Sequence, residues 1–436
     1  VGSANNKWVY IFRRQKESAL INRLPTFCRI TYGVSENRTA LFLKQFIKWW
    51  ERNTNGKGAI FTVEFLKEVY GKCCRFSVGH SFPPFNDHVK TNVYGLPLMT
   101  NKLLPLLMGN INERRCALYL LQLFKVALVK GKPPSIETIT KPFEPQSFNW
   151  DNSKTPGHLL EELAKAKGLS NEFASSIRES CNEVMDELFP IREKHKRIKQ
   201  LQRNSNKLHL TTKNGPNGPA IDSLLIDYLA IKSSGLIKSL KRFAYLTKNK
   251  SLNKCIKLLG ISGVELVEGK IDRVLDSRLS IKTEVGGKTR YFAICDWFTQ
   301  SAFKGLHSTL FEFLKELEGD GTFDHYKLSK ELAVWTIDED ALLLNIFSKD
   351  LTAATDRLPI ILQYLILKWL FGLELANLWL LIMKNRSFYD NETKQYVSYS
   401  IGQPMGALSS WAILALTHHV ITATCLKASK VDLKGN

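Results

Sequence analysis

The chain has 436 residues, room for two to four domains of about 100–200 residues, each able to bury a core. Hydrophobic residues make up 44% and charged ones 23%, which excludes a mainly disordered chain. Lys and Arg outnumber Asp and Glu by 61 to 41, and the formal charge of +20 favours a polyanionic partner, nucleic acid or an anionic membrane surface.

The eight cysteines are scattered, with one adjacent pair and no Cys-x-x-Cys. That pattern is neither a disulfide framework nor a zinc module, and it fits a reducing compartment. The first residue is Val and no charged-then-apolar leader follows, so the chain reads as a fragment or processed form.

Residues 1–145 read as helical, with apolar residues at three- and four-residue spacing from Leu41 to Trp50 and from Leu103 to Leu128. Pro83-Pro84 and Pro133-Pro134 mark loops. A second helical stretch runs from Leu159 to about Gln202 and ends in a basic run, Arg192, Lys194, Lys196, Arg197, Lys199 and Arg203. From Ile191 to Lys254 there are fifteen Lys/Arg against Glu193, Asp222 and Asp227, a net of +12. Lys241 and Arg242 belong to it, and Tyr228, Phe243 and Tyr245 are interleaved as stacking residues are in a nucleic-acid groove. A solvated basic helix face is the plainer alternative. Lys213 to Pro219 is the clearest loop.

Beyond residue 280 the pattern changes. Glu284 to Ile294 reads as a glycine turn and a strand, with Lys288 and Arg290 on one face, where fixed cations can clamp a triphosphate. Residues 341–349 read as an apolar strand that delivers Asp350 at its end. A small-residue turn follows, a helix starts near Pro359, and Asp356 returns to the same face. Two such carboxylates can divide two tasks, one holding Mg²⁺ and one accepting from a sugar hydroxyl. Asp356 as a helix N-cap and Asp350 as a turn residue is the open alternative. The apolar stretch Ile360 to Met383 is interrupted by Gln363, Lys368, Glu374 and Asn377. A bilayer span needs about 20 apolar residues with few charges, so a buried amphipathic helix is expected. Residues 386–399 read as a β-hairpin around Asp390-Asn391-Glu392. Gly402-Gln403-Pro404-Met405-Gly406 then opens a helix through Trp411 to about Leu426 and allows close backbone approach to a ligand.

The order Gly-Gly-Lys-Thr-Arg, then Asp-Leu-Thr-Ala-Ala-Thr-Asp-Arg-Leu-Pro, then Gly-Gln-Pro-Met-Gly-Ala-Leu-Ser-Ser-Trp-Ala resembles motifs F, A and B of mitovirus RNA-dependent RNA polymerases. Asp320 to Asp324 is similar to the same family's pattern. The resemblance covers about residues 280–425. It implies an α+β right-hand polymerase: a helical N-terminal region (1–205), fingers with the basic segment and motif F (206–340), and a partial palm with motifs A and B (341–436). The rest of the palm and the thumb are then missing. It also implies templated RNA synthesis by a two-metal mechanism with Mg²⁺ or Mn²⁺, RNA template and product, nucleoside triphosphates, and a mitochondrial setting. On this resemblance Asp350 is the catalytic metal ligand of motif A and Asp356 the carboxylate near the incoming ribose. Lys288 and Arg290 contact the triphosphate, Gly402 and Gly406 shape the motif B loop, and Ser409 or Ser410 helps to sense the 2′-hydroxyl.

One departure stands out. The family's motif C, Gly-Asp-Asp, is missing, and no Asp-Asp pair occurs anywhere. Asp338-Glu339-Asp340 precedes motif A and is expected to be a surface loop. The expectation is therefore a replicase chain truncated after motif B, with a non-catalytic RNA-binding remnant or, less well matched, a mitochondrial maturase as alternatives.

Overall fold

In the computed structural model the described residues are 17–86, 88–126, 133–144, 148–151, 153–261, 274–284, 287–327, 330 and 350–430. They form two compact units, residues 1–134 with 281–290, and residues 135–280 with 291–436. The expected strand 341–349 and the acidic triplet 338–340 lie outside the described residues.

The first unit is helical, as its periodicity predicts. Its long helices are α1 (Glu17–Tyr32), α2 (Glu36–Lys57), α3 (Ala59–Ser77) and α4 (Ile111–Leu121). Helices α2 and α3 are separated by Gly58 alone, at φ 90°, a conformation that favours glycine. Helix α4 starts on a capping box in which Asn110 accepts from the Glu113 amide while Glu113 accepts from the Asn110 amide. Phe42, Phe46, Trp50, Leu66, Val69 and Leu120 belong to one apolar core.

In the second unit the stretch expected to be helical from Leu159 to Gln202 is three helices: α5 (Pro156–Ala166), α6 (Asn171–Leu188) and α7 (Lys194–Ser205). There follow α8 (Leu224–Ser233), α9 (Leu236–Leu246), α10 (Lys250–Ile261) and the long α11 (Trp297–Glu316). The apolar stretch 360–383 is two helices, α12 (Ile360–Phe371) and α13 (Leu373–Lys384), broken by Gly372 at φ 101°. Each polar interruption has a partner, and Gln363 donates to the Leu358 carbonyl at 3.2 Å. Lys368 donates to the Ser153 carbonyl at 3.2 Å, Glu374 pairs with Arg242 at 2.5 Å, and the Tyr364 hydroxyl donates to Asn377 at 2.8 Å. Among the described residues no helix is long and apolar enough to cross a membrane. The last helix, α14 (Ser410–Ala428), packs on α6, with Lys427 on Glu183 and Glu187.

A small mixed sheet is made of β1 (Ser277–Thr283), β2 (Thr289–Cys295), β3 (Phe388–Asp390) and β4 (Tyr396–Val397), in the order β2-β1-β3-β4. Strand β3 runs parallel to β1, with Arg278 opposite Tyr389, and antiparallel to β4 in the expected hairpin. Helices with one mixed sheet make an α+β architecture.

Where β2 meets α11, a buried polar knot fixes the sheet to the helices. Asp296 caps α11 by accepting from the Thr299 amide at 2.8 Å, and its other oxygen lies 3.3 Å from Arg386 just before β3. Both side chains are inside the protein, and Thr299 links them, donating to Asp296 and accepting from Arg386. The Asp227 carboxylate accepts from the Trp297 amide at 2.9 Å, so two carboxylates meet the positive end of one helix. Burial and then the Asp296 charge push Asp227 up to about 7.

Candidate functional site

The site is built where the turn after Asp350 meets the loop before α14. Ala353 takes a left-handed φ of 51°, which its small side chain tolerates at modest cost, and starts a single helical turn, Ala354–Arg357. Asp356 therefore lies inside the turn rather than capping a helix; Pro359 precedes α12 instead. Asp350 is exposed.

Two backbone hydrogen bonds join the loop to this turn. The Gly402 amide donates to the Asp356 carbonyl, and the Gln403 amide to the Thr355 carbonyl, both at 3.0 Å. A Cβ on Gly402 would come within 2.3 Å of the Thr355 carbonyl oxygen and the Asp356 carbonyl carbon, so glycine is required by proximity. Gly406 is required twice over, by a φ of 124° and by a Cβ that would meet the Ala293 carbonyl at 2.3 Å. The loop is also bonded to β2, where the Ala293 amide donates to the Met405 carbonyl at 2.7 Å.

Several side chains complete the frame. Gln300 of α11 spans the loop, donating to the Gly406 carbonyl at 3.0 Å and accepting from the Leu408 amide at 2.8 Å. Gln403 is fully buried and donates to Gln363 and to the Ser410 carbonyl. Ser409 stands at φ 75° with its hydroxyl buried, accepting from the Trp379 indole N–H at 3.0 Å. Its amide meets Nδ1 of His307, whose pKa is lowered to about 4 by burial and then by His209. Ser410 is buried at the start of α14. Further along that helix, His419 contacts Asp320 at 2.8 Å; burial pushes Asp320 up, but hydrogen bonds from His419 and Thr322 leave it below its ordinary value.

Asp356 is buried. Its Oδ2 accepts from the Thr138 hydroxyl at 2.8 Å, and its Oδ1 has no hydrogen-bond partner. Burial raises its pKa, against the Thr138 hydrogen bond and the Arg357 charge. Arg357 turns to the same segment as Thr138, donating to the carbonyls of Lys141 and Pro142. Thr138, Gln300, His307 and Trp379 carry no local signal in the sequence; only packing brings them here.

The expected cationic residues divide. Lys288 and Arg290 are exposed, with Arg290 3.5 Å from Glu284 across their turn, and both belong to the first unit, whereas Asp356, Gly402 and Gly406 belong to the second. Arg192, in the turn before α7, is exposed, as are Lys196, Lys199 and Arg203 on α7, whereas Lys194 is half-buried and Arg197 turns inward to the Pro190 and Leu370 carbonyls. Lys241 and Arg242 are exposed on α9. Of the interleaved aromatics, Phe243 and Tyr228 are core residues, and Tyr245 is exposed with Arg242 over its ring. The amphipathic period of each helix decides which of these residues reach solvent.

For a metal, the turn offers one exposed carboxylate, Asp350. Among the described residues no group of three His, Cys, Asp or Glu could hold an ion, so only Asp350 of the expected metal-binding set is found among them.

A family model described as Mitovirus RNA-dependent RNA polymerase matches residues 200–434, over half the chain and all of the turn, loop and α14 just described. The chain belongs to this family. It is 37% identical over 243 residues to the RNA-directed RNA polymerase of Cryphonectria parasitica mitovirus 1 (strain American chestnut tree/New Jersey/NB631), covering 52% of this chain and 28% of that protein. Two uncharacterized mitochondrial proteins of Arabidopsis thaliana are 38% identical over 80 residues and 31% over 91. Those matches cover 17% and 19% of this chain, and 32% and 43% of the two proteins. The chain thus spans less than half the length of the curated relatives it matches. No solved structure matches it.

Proposed function

We propose that the chain supplies the nucleotide- and RNA-holding parts of an RNA-directed RNA polymerase, with a fingers region and part of a palm. The observation that carries this reading is the backbone junction of Gly402 and Gln403 with Asp356 and Thr355, in a segment matched by the family model. The motif A turn and the motif B loop form one rigid floor. On it Asp356 faces the sugar of the incoming nucleotide. Gly402 and Gly406 shape the loop, Lys288 and Arg290 are triphosphate contacts by the resemblance, and the exposed cations of α7 and α9 follow the RNA backbone. Asp350 is the motif A carboxylate. Divalent-metal catalysis of nucleotidyl transfer needs carboxylates beyond it.

Template-dependent incorporation of labelled ribonucleotides is the test, using a polypeptide that contains this chain. Asp350→Ala is expected to abolish extension while RNA binding is retained; unchanged extension would remove the assignment. RNA binding with no extension by the unaltered polypeptide would favour the second reading, a non-catalytic RNA-binding protein, which the net charge of +12 over residues 191–254 supports. We assign the protein to mitochondria, and cell fractionation checks this.

A further inference from the structure

Residues 1–134 of the first unit lie outside the family match, which begins at residue 200. They carry 21 Lys and Arg against 7 Asp and Glu, a net of +14. This charge is separate from the +12 of residues 191–254 and stands on a different unit.

A helix packed on a core ordinarily turns a polar face to solvent. Helices α1 and α4 bury Cys28 and Cys116 with Leu120, yet their outer faces are not polar. On α1, Arg23, Phe27 and Ile30 follow at four- and three-residue spacing and form one stripe. On α4, Ile111, Arg115 and Tyr119 do the same at four-residue spacing. All six are exposed, Ile30 at 74% and Ile111 at 60%. The Phe27 and Tyr119 rings, 5.4 Å apart, join the two stripes into one patch. Arg29 is held by Glu36 at 2.8 Å, whereas Arg23 and Arg115 have no ion-pair partner among the described residues.

We propose that this face docks the chain on an anionic lipid bilayer, with α1 and α4 lying in the interface. The most exposed side chains of the patch are aliphatic and offer no ring for a base to stack on, so RNA gains little from them. A second copy would bring +14 against +14 and is repelled. A bilayer surface suits both parts of the patch. Ile30, Ile111 and the two rings enter the boundary between headgroups and acyl chains. Arg23 and Arg115 lay their stems along it and put their guanidinium groups on lipid phosphates. Such a contact requires no membrane-spanning helix.

The test is flotation of the 436-residue chain with vesicles of phosphatidylcholine alone and of an equal mixture with phosphatidylglycerol. The chain is expected to float with the mixed vesicles, not with phosphatidylcholine alone, and to be released by salt. Ile30→Asp with Ile111→Asp, and separately Arg23→Gln with Arg115→Gln, should each weaken binding to the mixed vesicles about tenfold or more. Leu210→Asp with Ile261→Asp makes the same charge change in the second unit, at side chains 75% and 72% exposed, and should weaken it far less. If the aspartate pair in the patch unfolds the chain, Ile30→Ser with Ile111→Ser carries the same expectation. Failure to float with either vesicle, equal flotation with both, or equal losses from the two aspartate pairs overturns the proposal. So does a loss of single-stranded RNA binding in the patch pair that exceeds its loss of flotation, which would give the face to RNA. Self-association without vesicles that the patch pair abolishes would give it to a second copy and overturn the proposal too.

Discussion

Gly402 lies against the backbone of Asp356, with its amide on the Asp356 carbonyl at 3.0 Å and no room for a Cβ between them. Gly402→Ala would place a methyl 2.3 Å from the Thr355 carbonyl oxygen and the Asp356 carbonyl carbon. Overpacking against backbone costs about 1–3 kcal/mol or more, and a lower urea midpoint is expected. Gly321→Ala is the control, since a Cβ there meets only the Asp324 carbonyl at 3.8 Å. Equal midpoints for the two variants would contradict the close approach.

The Trp379 indole N–H has the Ser409 hydroxyl as its acceptor inside the core. Ser409→Ala orphans a buried donor and is expected to cost about 1–3 kcal/mol in unfolding free energy. Combining it with Trp379→Phe removes the orphan, so the double variant should lose less than the two single losses summed. Strict additivity in that cycle would mean the hydrogen bond contributes nothing.

RNA affinity is expected to fall steeply with salt, because the segment 191–254 carries a net +12. Neutralising Lys199, Arg203 or Lys241, all exposed, should flatten the plot of log affinity against log salt by roughly 0.7–0.9 per charge. Arg197→Gln should leave that slope unchanged and lower stability, since Arg197 serves the Pro190 and Leu370 carbonyls. A slope change from Arg197→Gln would place that side chain on the RNA.

His307 predicts a pH dependence. Its pKa is lowered from 6.5 to about 4, so between these values the unfolded chain binds a proton that the folded chain refuses. Stability must then fall as pH drops from about 6.5 towards 4 and level off below, with a slope of at most about 1.4 kcal/mol per pH unit. Asp227, raised from 3.8 to about 7, acts with the opposite sign over nearly the same window, so wild-type stability alone is uninformative. The difference between wild type and His307→Gln isolates the histidine and should shrink as pH falls. A constant difference would show that His307 does not titrate there.

The motif order, the loop glycines, the hairpin at 388–397 and the net positive segment were all legible in the sequence. Each depends on local backbone demands or on composition, and both are written in neighbouring residues. The helix breaks were legible only in part. Gly372 divides a stretch that reads as one apolar helix, because glycine's left-handed freedom matters only where the chain must turn back.

What tertiary structure alone decided is which polar groups meet. Thr138 reaches Asp356 across 218 residues, Gln300 reaches the motif B loop across more than 100, and Arg386 reaches Asp296 across 90. Arg197 stands among exposed cations and is nonetheless buried. A buried polar atom must find a partner wherever packing puts one, and nothing in its own neighbourhood of the chain names that partner. The sequence by itself determined the family and the floor of the site; the fold decided which side chains stand on it, and that Asp356 is already held by a hydroxyl of its own chain.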